Sequence, residues 1–375
     1  MAASTAQAGW LFVLAAGVLG LVGASLITRQ NLDSATIVRS APRRARVGDD
    51  VRVGITVHSG KRSLPLLRLE DRFDAFEPTV VASNRLRKYE SSELELVKHA
   101  HRRGVFESGT VMLRSGSPFG FTTTSRTIDV QSPVTVVPHH VELRSFPILE
   151  PSSSPSDVLH ERARTGAGQE YLGVREYRPG DPPRSVHWRS TARAGRLVVR
   201  EYEEEVQTRV TLVVGGADVG EPPDSPFEML VSAAASIALY ALVTGHPVDM
   251  VRHDDNGEIE QLADPDRFAV LDWLAAATPR DEPLGPLVER ALGRVGRRGT
   301  IVLLTSTVGA AMAGLDDSIR LVQTAGSRAI AVVAQAGTWL DDKQTTDADA
   351  LGRITGGRAV VMPMSRRQEL TECLG

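Results

Sequence analysis

The sequence predicts an α+β multidomain protein with a transmembrane helix, an antiparallel β-sandwich and an α/β domain whose sheet is mostly parallel. Three observations predict it: an uncharged apolar run near the amino terminus, short alternating strands after it, and alternating apolar strands and helices in the second half. We divide the 375 residues into a membrane anchor (1–29), a β-sandwich domain (30–148), a linker (149–167), an arginine-rich segment (168–204) and an α/β domain (205–375).

The overall composition excludes some classes of partner. The net charge is −3 and 24% of residues are charged, so no excess of positive charge indicates nucleic acid as a partner. The single cysteine, Cys373, allows no disulfide framework within one chain, which fits a reducing compartment.

The predicted anchor is the run from Gly9 to Ile27, which reads GWLFVLAAGVLGLVGASLI and precedes the first charged residue, Arg29. As a helix it would be about 28 Å long, close to the hydrocarbon thickness of a bilayer. A cleaved signal peptide would begin with positive charge, which this tail lacks, and a buried core helix is the other alternative. Arginines follow at 29, 39, 43, 44 and 46. We therefore expect a single-pass protein of the cell membrane, bound to the bilayer through residues 9–27, with most of the chain cytoplasmic.

Short strands separated by turn residues predict the β-sandwich. In VRVGITV, Val51, Val53, Ile55 and Val57 alternate at period two. The runs ATIV, LPLLRLED, SELELV, VFESGTVML, TTTSRTIDV and VTVVP complete the predicted set. His99 and His101 beside Arg102 and Arg103 are interpreted as a solvated polar strand face rather than a metal pair. After this domain, the Ser/Pro-rich residues 149–167 predict a linker.

The arginine-rich segment concentrates charged and aromatic side chains. It has seven arginines with interleaved acids and four aromatic rings, around a rigid RPGDPPR turn. Two interpretations stay open: a latch joining two domains, or a docking surface for a partner or an anionic ligand. We expect Trp188 to be largely buried, and arginines 175, 178 and 189 to pair with Glu170, Glu176 or Asp181. The candidate partner-binding or interdomain residues are Arg175, Glu176, Tyr177, Arg178, Gly180, Asp181, Arg184, Trp188, Arg189 and Arg193.

Alternating apolar strands and helical patterns predict the α/β domain. Strands are expected at 209–216, 247–252, 299–305, 328–334 and 357–361, and helices at 226–245, 265–277, 284–295, 313–325 and 365–372. Ligands of such sheets bind at the carboxyl ends of strands, so the loop after the first strand is the place to examine. Asp218 in that loop is expected to cap a turn. The stretch from His253 to Gly257 is expected to form a solvated hairpin turn.

The motif G-x-E-Y-x-G-x-R-E-Y-R-P-G-D-x-x-R, followed by H-W-R-S-T-A-R and L-V-V-R-E-Y-E, resembles the domain-of-unknown-function 58 (DUF58) family. R-S-A-P-x-x-A-R-V-G-D and R-S-G-S-P-F-G (114–120) resemble further elements of that family, so the resemblance covers about residue 9 to at least 250. The sequence departs from many members in having His187 where they have Asp, and one apolar span where they have two.

The resemblance implies a bacterial membrane-anchored protein with a von Willebrand factor A-like domain, associated with a MoxR-type AAA+ ATPase. That fold carries a D-x-S-x-S metal loop, but this chain has Gly215, Gly216, Ala217, Asp218 and Val219 there. A degenerate loop predicts no metal, and no cofactor motif is present in the sequence.

The leading functional hypothesis is a non-catalytic scaffold or adaptor that works with such an ATPase in complex assembly or cell-envelope maintenance. One alternative is a hydrolase using His187 with Asp181 or Glu176, although no nucleophile elbow, P-loop, dinucleotide fingerprint or zinc motif supports it. Another is binding of an anionic ligand by the arginine-rich segment, which the interleaved acids weaken. The sequence does not indicate an oligomeric state.

Overall fold

The computed structural model describes residues 2–64, 67–83, 85–116, 123–148, 170–178, 181, 183–203, 208–295, 299–340, 359–366 and 368–374. The predicted linker 149–167 lies outside the described residues, as does most of the 114–120 motif. The chain folds into antiparallel sheets in its amino-terminal part and a mostly parallel sheet with helices in its carboxy-terminal part.

The amino-terminal part builds two sheets around one core. After helix α1 (Ala2–Asp33) come β1 (Thr36–Ser40), β2 (Arg44–Arg46), β3 (Asp50–His58), β4 (Leu67–Arg72), β5 (Thr79–Ser83), β6 (Ser91–His99), β7 (Gly104–Gly116) and β8 (Thr123–Val137). The sheets have the orders β1-β3-β6 and β2-β8-β7-β4-β5, and all neighbours are antiparallel except the short β2 beside β8. Val53, Ile55 and Val57 are buried, which confirms the predicted period-two face. Residues of both sheets contribute to one hydrophobic cluster.

The carboxyl end of α1 is built into these sheets. Leu32 is buried in their core. The Nη1 of Arg126, on β8, donates to the carbonyl oxygens of Leu32 (2.8 Å), Asp33 (3.0 Å) and Ala35 (3.1 Å). A guanidinium at this position satisfies carbonyls that have no partner inside the helix and complements the negative end of its dipole. The end of the helix is therefore fixed to β8.

The rest of the chain forms a hairpin followed by the parallel sheet. Its elements are β9 (Glu170–Glu176), α2 (Trp188–Ala194), β10 (Val198–Glu203), β11 (Val210–Val214), α3 (Pro226–Val243), β12 (Val248–His253), β13 (Ile259–Ala263), α4 (Arg267–Ala275), α5 (Gly285–Val295), β14 (Thr300–Ser306), α6 (Gly309–Ala313), α7 (Leu315–Thr324), β15 (Arg328–Ala334), β16 (Val360–Met364) and α8 (Leu370–Leu374). The six-stranded sheet has the order β13-β12-β11-β14-β15-β16, and the edge strand β13 alone runs antiparallel to its neighbour. Buried clusters lie on both faces of this sheet.

The apolar helices differ in how much protein surrounds them. Within the described residues, α3 is the helix long and apolar enough to cross a membrane, and 61% of it is buried inside the protein, as expected for a core helix. In α1 the described apolar run is Gly9–Ala24, shorter than that length. Trp10, Leu11 and Phe12 of this run are exposed.

Several predicted boundaries need correction. The edge strands β2, β5 and β13 were not predicted, because β2 has three residues and β13 has no fully buried side chain. The helix predicted at 365–372 begins only at Leu370. The hairpin turn before β13 is confirmed, with the Asp254 carboxylate accepting from the N–H groups of Asn256 and Glu258, both at 2.8 Å. His253 is buried at the end of β12 rather than solvated.

Candidate functional site

The arginine-rich segment folds as a hairpin with a short helix packed on it. Strands β9 and β10 pair antiparallel, with Glu176 opposite Val198 and Arg175 opposite Val199. Between them, α2 packs against β10, where Thr191 Oγ1 lies 3.0 Å from the N–H of Val198 and accepts its hydrogen. The helix ends at Gly195 in the left-handed conformation (φ 65°), whose N–H donates to the carbonyl of Thr191. The segment is therefore a compact local unit, which we call the hairpin unit.

A bidentate ion pair holds the turn of this unit. Arg175 donates from Nη1 and Nη2 to the two carboxylate oxygens of Asp181 at 2.9 and 2.8 Å, and the backbone N–H of Arg178 donates to the same carboxylate at 2.8 Å. The hydrogen bond from Arg175, then that from Arg178, holds the pKa of Asp181 below its ordinary value. The predicted pairing of Arg175 with Asp181 is confirmed. Gly180 lies outside the described residues.

The other predicted arginine pairings are not formed as expected. Glu176 pairs with Arg196 at 3.2 Å, and both side chains are largely exposed. Arg178 and Arg189 are exposed, and Tyr177 is half-buried. The side chain of Glu170 lies outside the described residues. Both ion pairs described above, Arg175–Asp181 and Glu176–Arg196, join residues within the segment.

The prediction that Trp188 is buried is wrong. Its side chain is 69% exposed, because α2 turns Thr191 toward β10 and leaves its first residues facing outward. Arg184, Arg189 and Arg193 are also exposed, and Arg189 and Arg193 are neighbours on one side of the helix at spacing i, i+4. Among the described residues none of these three arginines has an ion-pair partner. We call Arg184, Trp188, Arg189 and Arg193 the Trp188 surface.

His187 serves as the amino-terminal cap of α2. Its Nδ1 lies 2.7 Å from Ser190 Oγ and accepts from the N–H of Ser190 at 3.3 Å. The His187 ring thus satisfies one of the free N–H groups at the start of the helix, while the backbone N–H of His187 donates to the carbonyl of Val198 at 2.8 Å. Asp181 and Glu176, the carboxylates of the hydrolase alternative, are instead engaged by arginines.

Direct ion pairs between the two folded parts of the chain lie elsewhere, and Arg103 makes the most buried of them. Its guanidinium donates to both carboxylate oxygens of Glu228 on α3, at 2.9 and 2.7 Å, and to the carbonyls of Leu274 and Ala275 at the end of α4. The side chains of Arg103 and Glu228 are 4% and 17% exposed. The expectation of a solvated polar face at residues 99–103 is therefore wrong for Arg103. Its role was missed because a cation beside two histidines and Arg102 has no local feature that indicates burial.

A second contact of the same kind joins Arg44 to α4. Arg44 donates to both carboxylate oxygens of Asp272, and its guanidinium carbon lies 4.8 Å from the centre of the Phe268 ring. The pair is about 40% exposed on each side. It adds to the Arg103 contact at the same junction.

Polar groups that hydrogen-bond to the protein's own backbone line the crevice between β11 and β14, where the direction of chain progression reverses. The Asp218 carboxylate accepts from the N–H groups of Val219 (3.0 Å) and Phe227 (3.1 Å), which confirms its predicted turn-capping role. Ser306 Oγ donates to the carbonyl of Ala217 at 2.6 Å, and Asp281 accepts from the N–H of Ala310 at 2.6 Å. Across the part of the chain that the structure describes, no three His, Cys, Asp or Glu side chains are arranged to hold a metal ion.

Comparison with known families gives one match. Residues 173–337 match the family described as "Protein of unknown function DUF58", which covers most of the hairpin unit and the sheet as far as the end of β15. No curated protein matches the chain.

Proposed function

We propose that this chain, which carries a DUF58 family domain at residues 173–337, is a membrane-anchored, non-catalytic adaptor that docks a MoxR-type AAA+ ATPase through the Trp188 surface. Its work would be complex assembly or maintenance of the cell envelope. The observation that carries the proposal is the exposure of Trp188 beside arginines that have no acidic partner among the described residues.

The charge distribution of the hairpin unit supports docking over a purely internal latch. Asp181 forms an ion pair with Arg175, and Glu176 forms one with Arg196. These two carboxylates therefore do not neutralise the positive charge of the Trp188 surface. Tryptophan and arginine are the residues most enriched at the energetic centres of protein interfaces. An exposed ring beside cations that have no acidic partner in the described part of the chain favours a partner with an acidic, partly apolar surface.

The direct contacts of Arg44 and Arg103 also support a docking role for the hairpin unit over a latch between the two parts. They join the amino-terminal sheets to α3 and α4 without using the hairpin unit. A separate latch is therefore not required to hold the two parts together.

The anchor is supported by the exposed apolar residues of α1. Trp10, Leu11, Phe12, Leu14 and Leu19 are all more than half exposed, and no polar side chain covers them in the described run. Such a surface is stable in hydrocarbon and costly in water. We take α1 as a single span, with the sheets and the α/β domain in the cytoplasm.

We also assign the finer fold classes here. The two amino-terminal sheets with their shared core support a β-sandwich. The order β13-β12-β11-β14-β15-β16, with β13 antiparallel, supports the von Willebrand A-like domain that the resemblance implies. The hydrogen bonds of Asp218, Ser306 and Asp281 within its crevice support a domain that works without a metal in that loop.

An alanine scan tests the docking proposal. Trp188→Ala, Arg189→Ala and Arg193→Ala should each lower the amount of ATPase that co-purifies from native membranes, by about tenfold or more for Trp188→Ala. Their melting temperatures should change by only about 1 °C, since exposed side chains contribute little to folding. Arg102→Ala, an exposed arginine outside the unit, is the matched control and should retain the ATPase.

Three other results would count against the proposal. Normally folded variants that all retain the ATPase would remove the Trp188 surface from the interface. Binding and melting temperature that fall together in Arg178→Ala would favour the latch. Turnover of a hydrolysable substrate that is lost in His187→Ala would favour the enzyme alternative.

A further inference from the structure

We propose that the end of the amino-terminal sheets beside α1 forms a second membrane contact, in which exposed basic side chains bind anionic lipid headgroups. This inference rests on the proposed membrane anchor. We call this surface the headgroup patch, and its residues are Lys61, Arg62, Arg85, Arg87, Lys88 and Tyr89.

Backbone contacts locate the patch next to the end of α1. A Cβ atom at Gly60 would lie only 2.4 Å from the carbonyl oxygen of Ser34, so the loop carrying Lys61 passes directly against the residue that follows the helix. The N–H of Tyr89 donates to the carbonyl of Gly60 at 3.1 Å. Both basic loops therefore lie against the point where the chain leaves α1.

Backbone hydrogen bonds and buried side chains fix both loops that carry the headgroup patch. The N–H of Ser59 donates to the carbonyl of Glu90 at 2.9 Å, and the N–H of Glu90 donates back to Ser59 Oγ at 3.0 Å. Leu64 and Leu86 exchange two backbone hydrogen bonds of 2.9 Å, and both side chains are buried in the core. The cations at the tips are thus presented from a fixed backbone, which lowers the entropy lost on binding.

The chemistry of the patch fits a headgroup layer. All five cations are exposed, and the neighbouring acids Asp33 and Glu90 leave an excess of positive charge. Tyr89 is 68% exposed, and the Lys88 ammonium lies 5.0 Å from the centre of its ring. Aromatic rings with a polar tip concentrate at the level of the headgroups, and basic clusters beside a span bind anionic lipids.

The fixed end of α1 indicates which partner contacts the headgroup patch. Leu32 is buried in the core and Arg126 binds the last carbonyls of the helix, so no free linker separates the helix from the patch. A bilayer crossed by α1 is therefore the surface within immediate reach of these cations. For this reason we assign the patch to lipid rather than to a soluble partner.

The experiment compares two labelled positions in the full-length chain, inserted in phosphatidylcholine vesicles. Ser91→Cys, beside the patch, and Val105→Cys, at the opposite end of the same sheets, each carry a fluorophore in a Cys373→Ser background. The quencher is a nitroxide on the headgroup of either phosphatidylglycerol or phosphatidylcholine, added at equal mole fraction. We expect strong quenching at position 91 and little at 105, and stronger quenching at 91 by the anionic lipid than by the neutral one.

Charge variants test whether the cations cause that difference. Reversal of four patch cations should abolish the preference for phosphatidylglycerol while leaving the melting temperature unchanged, and high salt should weaken it. The patch variant carries Lys61→Glu, Arg85→Glu, Arg87→Glu and Lys88→Glu. The matched control, which should keep the preference, carries Arg52→Glu, Arg267→Glu, Arg290→Glu and Arg320→Glu, all at exposed positions.

The outcomes separate this inference from the anchor. Equal quenching by the two lipids, or equal quenching at positions 91 and 105, would overturn the patch while the anchor stands. A chain that fails to insert but floats with phosphatidylglycerol vesicles, and loses this in the patch variant, would support the patch and overturn the anchor. A chain that neither inserts nor binds such vesicles would overturn both.

Discussion

Asp71 lies between two cations in the core of the amino-terminal sheets. Its carboxylate pairs with Arg39 on one oxygen and with Lys98 on the other, and all three side chains are fully buried. The guanidinium of Arg39 also stacks on Phe73, with its carbon 4.7 Å from the ring centre. Burial is the main cause that lowers the pKa of Lys98, while Asp71 opposes it. One carboxylate therefore compensates two buried cations.

This imbalance predicts unequal effects of substitution. Asp71→Ala should cost about 3–5 kcal/mol, because it leaves two buried cations without a carboxylate. Lys98→Met should be tolerated or stabilising, because a one-to-one pair of Arg39 and Asp71 remains. Urea unfolding of the two variants, with exposed Glu93→Ala as control, measures the difference. Equal costs for the two substitutions would contradict this explanation.

The same lysine gives a pH dependence with a definite sign. Because the pKa of Lys98 is lowered in the folded state, that state releases the lysine proton at a lower pH than the unfolded state, in which the pKa is 10.5. Between those two pKa values the unfolded state binds more protons, so the contribution of Lys98 to stability rises with pH. That rise should be absent in Lys98→Met.

At the scale of single residues, the sequence predicted contacts that arise from neighbours along the chain. Asp218 caps its own turn and Asp181 binds Arg175 six residues away, and both were expected. Trp188 and Arg103 were not, because their burial is decided by which face of α2 meets β10 and by where α4 ends in space. Residue type alone does not encode such long-range packing.

At the scale of elements, strands with a strong apolar pattern were predicted and weak edge strands were not. Strands β11, β12, β14 and β15 are almost wholly buried, so their apolar runs identify them. The edge strand β13, with sequence IEQLA, is partly exposed along its length and resembles a loop in composition. The alternation of helices and strands was nevertheless sufficient to predict the mostly parallel sheet.

At the junction between the two folded parts, the ion pairs of Arg103 and Arg44 add to the burial of Val137, Phe146 and Ile148 in the core of the α/β domain. Arg103→Ala should cost about 2–4 kcal/mol, because it leaves the Glu228 carboxylate and two carbonyls of α4 without their donor. Uncoupling of the parts should then divide one thermal transition into two. The neighbouring Arg102 is exposed, so Arg102→Ala should change the stability by less than about 0.5 kcal/mol. If calorimetry shows the same single transition for both variants, Arg103 does not couple the two parts.

At the scale of the whole molecule, the amino-terminal sheets separate α1 from the α/β domain. The end of α1 meets Arg126 near the start of β8, whereas Arg103 precedes β7 at the opposite end of the same sheet. Arg126 lies opposite Leu113 on β7, so the stretch of β7 from Gly104 to Leu113 separates the two points, which corresponds to about 30 Å of extended strand. With α1 in a bilayer, the sheets would hold the α/β domain at about that distance from its surface.

The orientation that we propose for the whole chain in the membrane rests on where its cations lie. The segment before Gly9 carries no charged side chain, whereas arginines follow the apolar run and the headgroup patch lies on that same side. Positive flanks remain cytoplasmic, so we expect the amino terminus outside and the α/β domain inside the cell.

Labelling of intact cells tests this orientation. Burial, with a smaller contribution from Glu372, raises the pKa of the Cys373 thiol, so that thiol reacts slowly and is a poor reporter. Val243, at the end of α3, is 87% exposed, and Val243→Cys in a Cys373→Ser background provides an accessible site instead. A membrane-impermeant maleimide should label Ser4→Cys in intact cells and should reach Val243→Cys only after the membrane is opened. Labelling of Val243→Cys before opening, with Ser4→Cys protected, would show the opposite orientation and would move the Trp188 surface out of reach of a cytoplasmic ATPase.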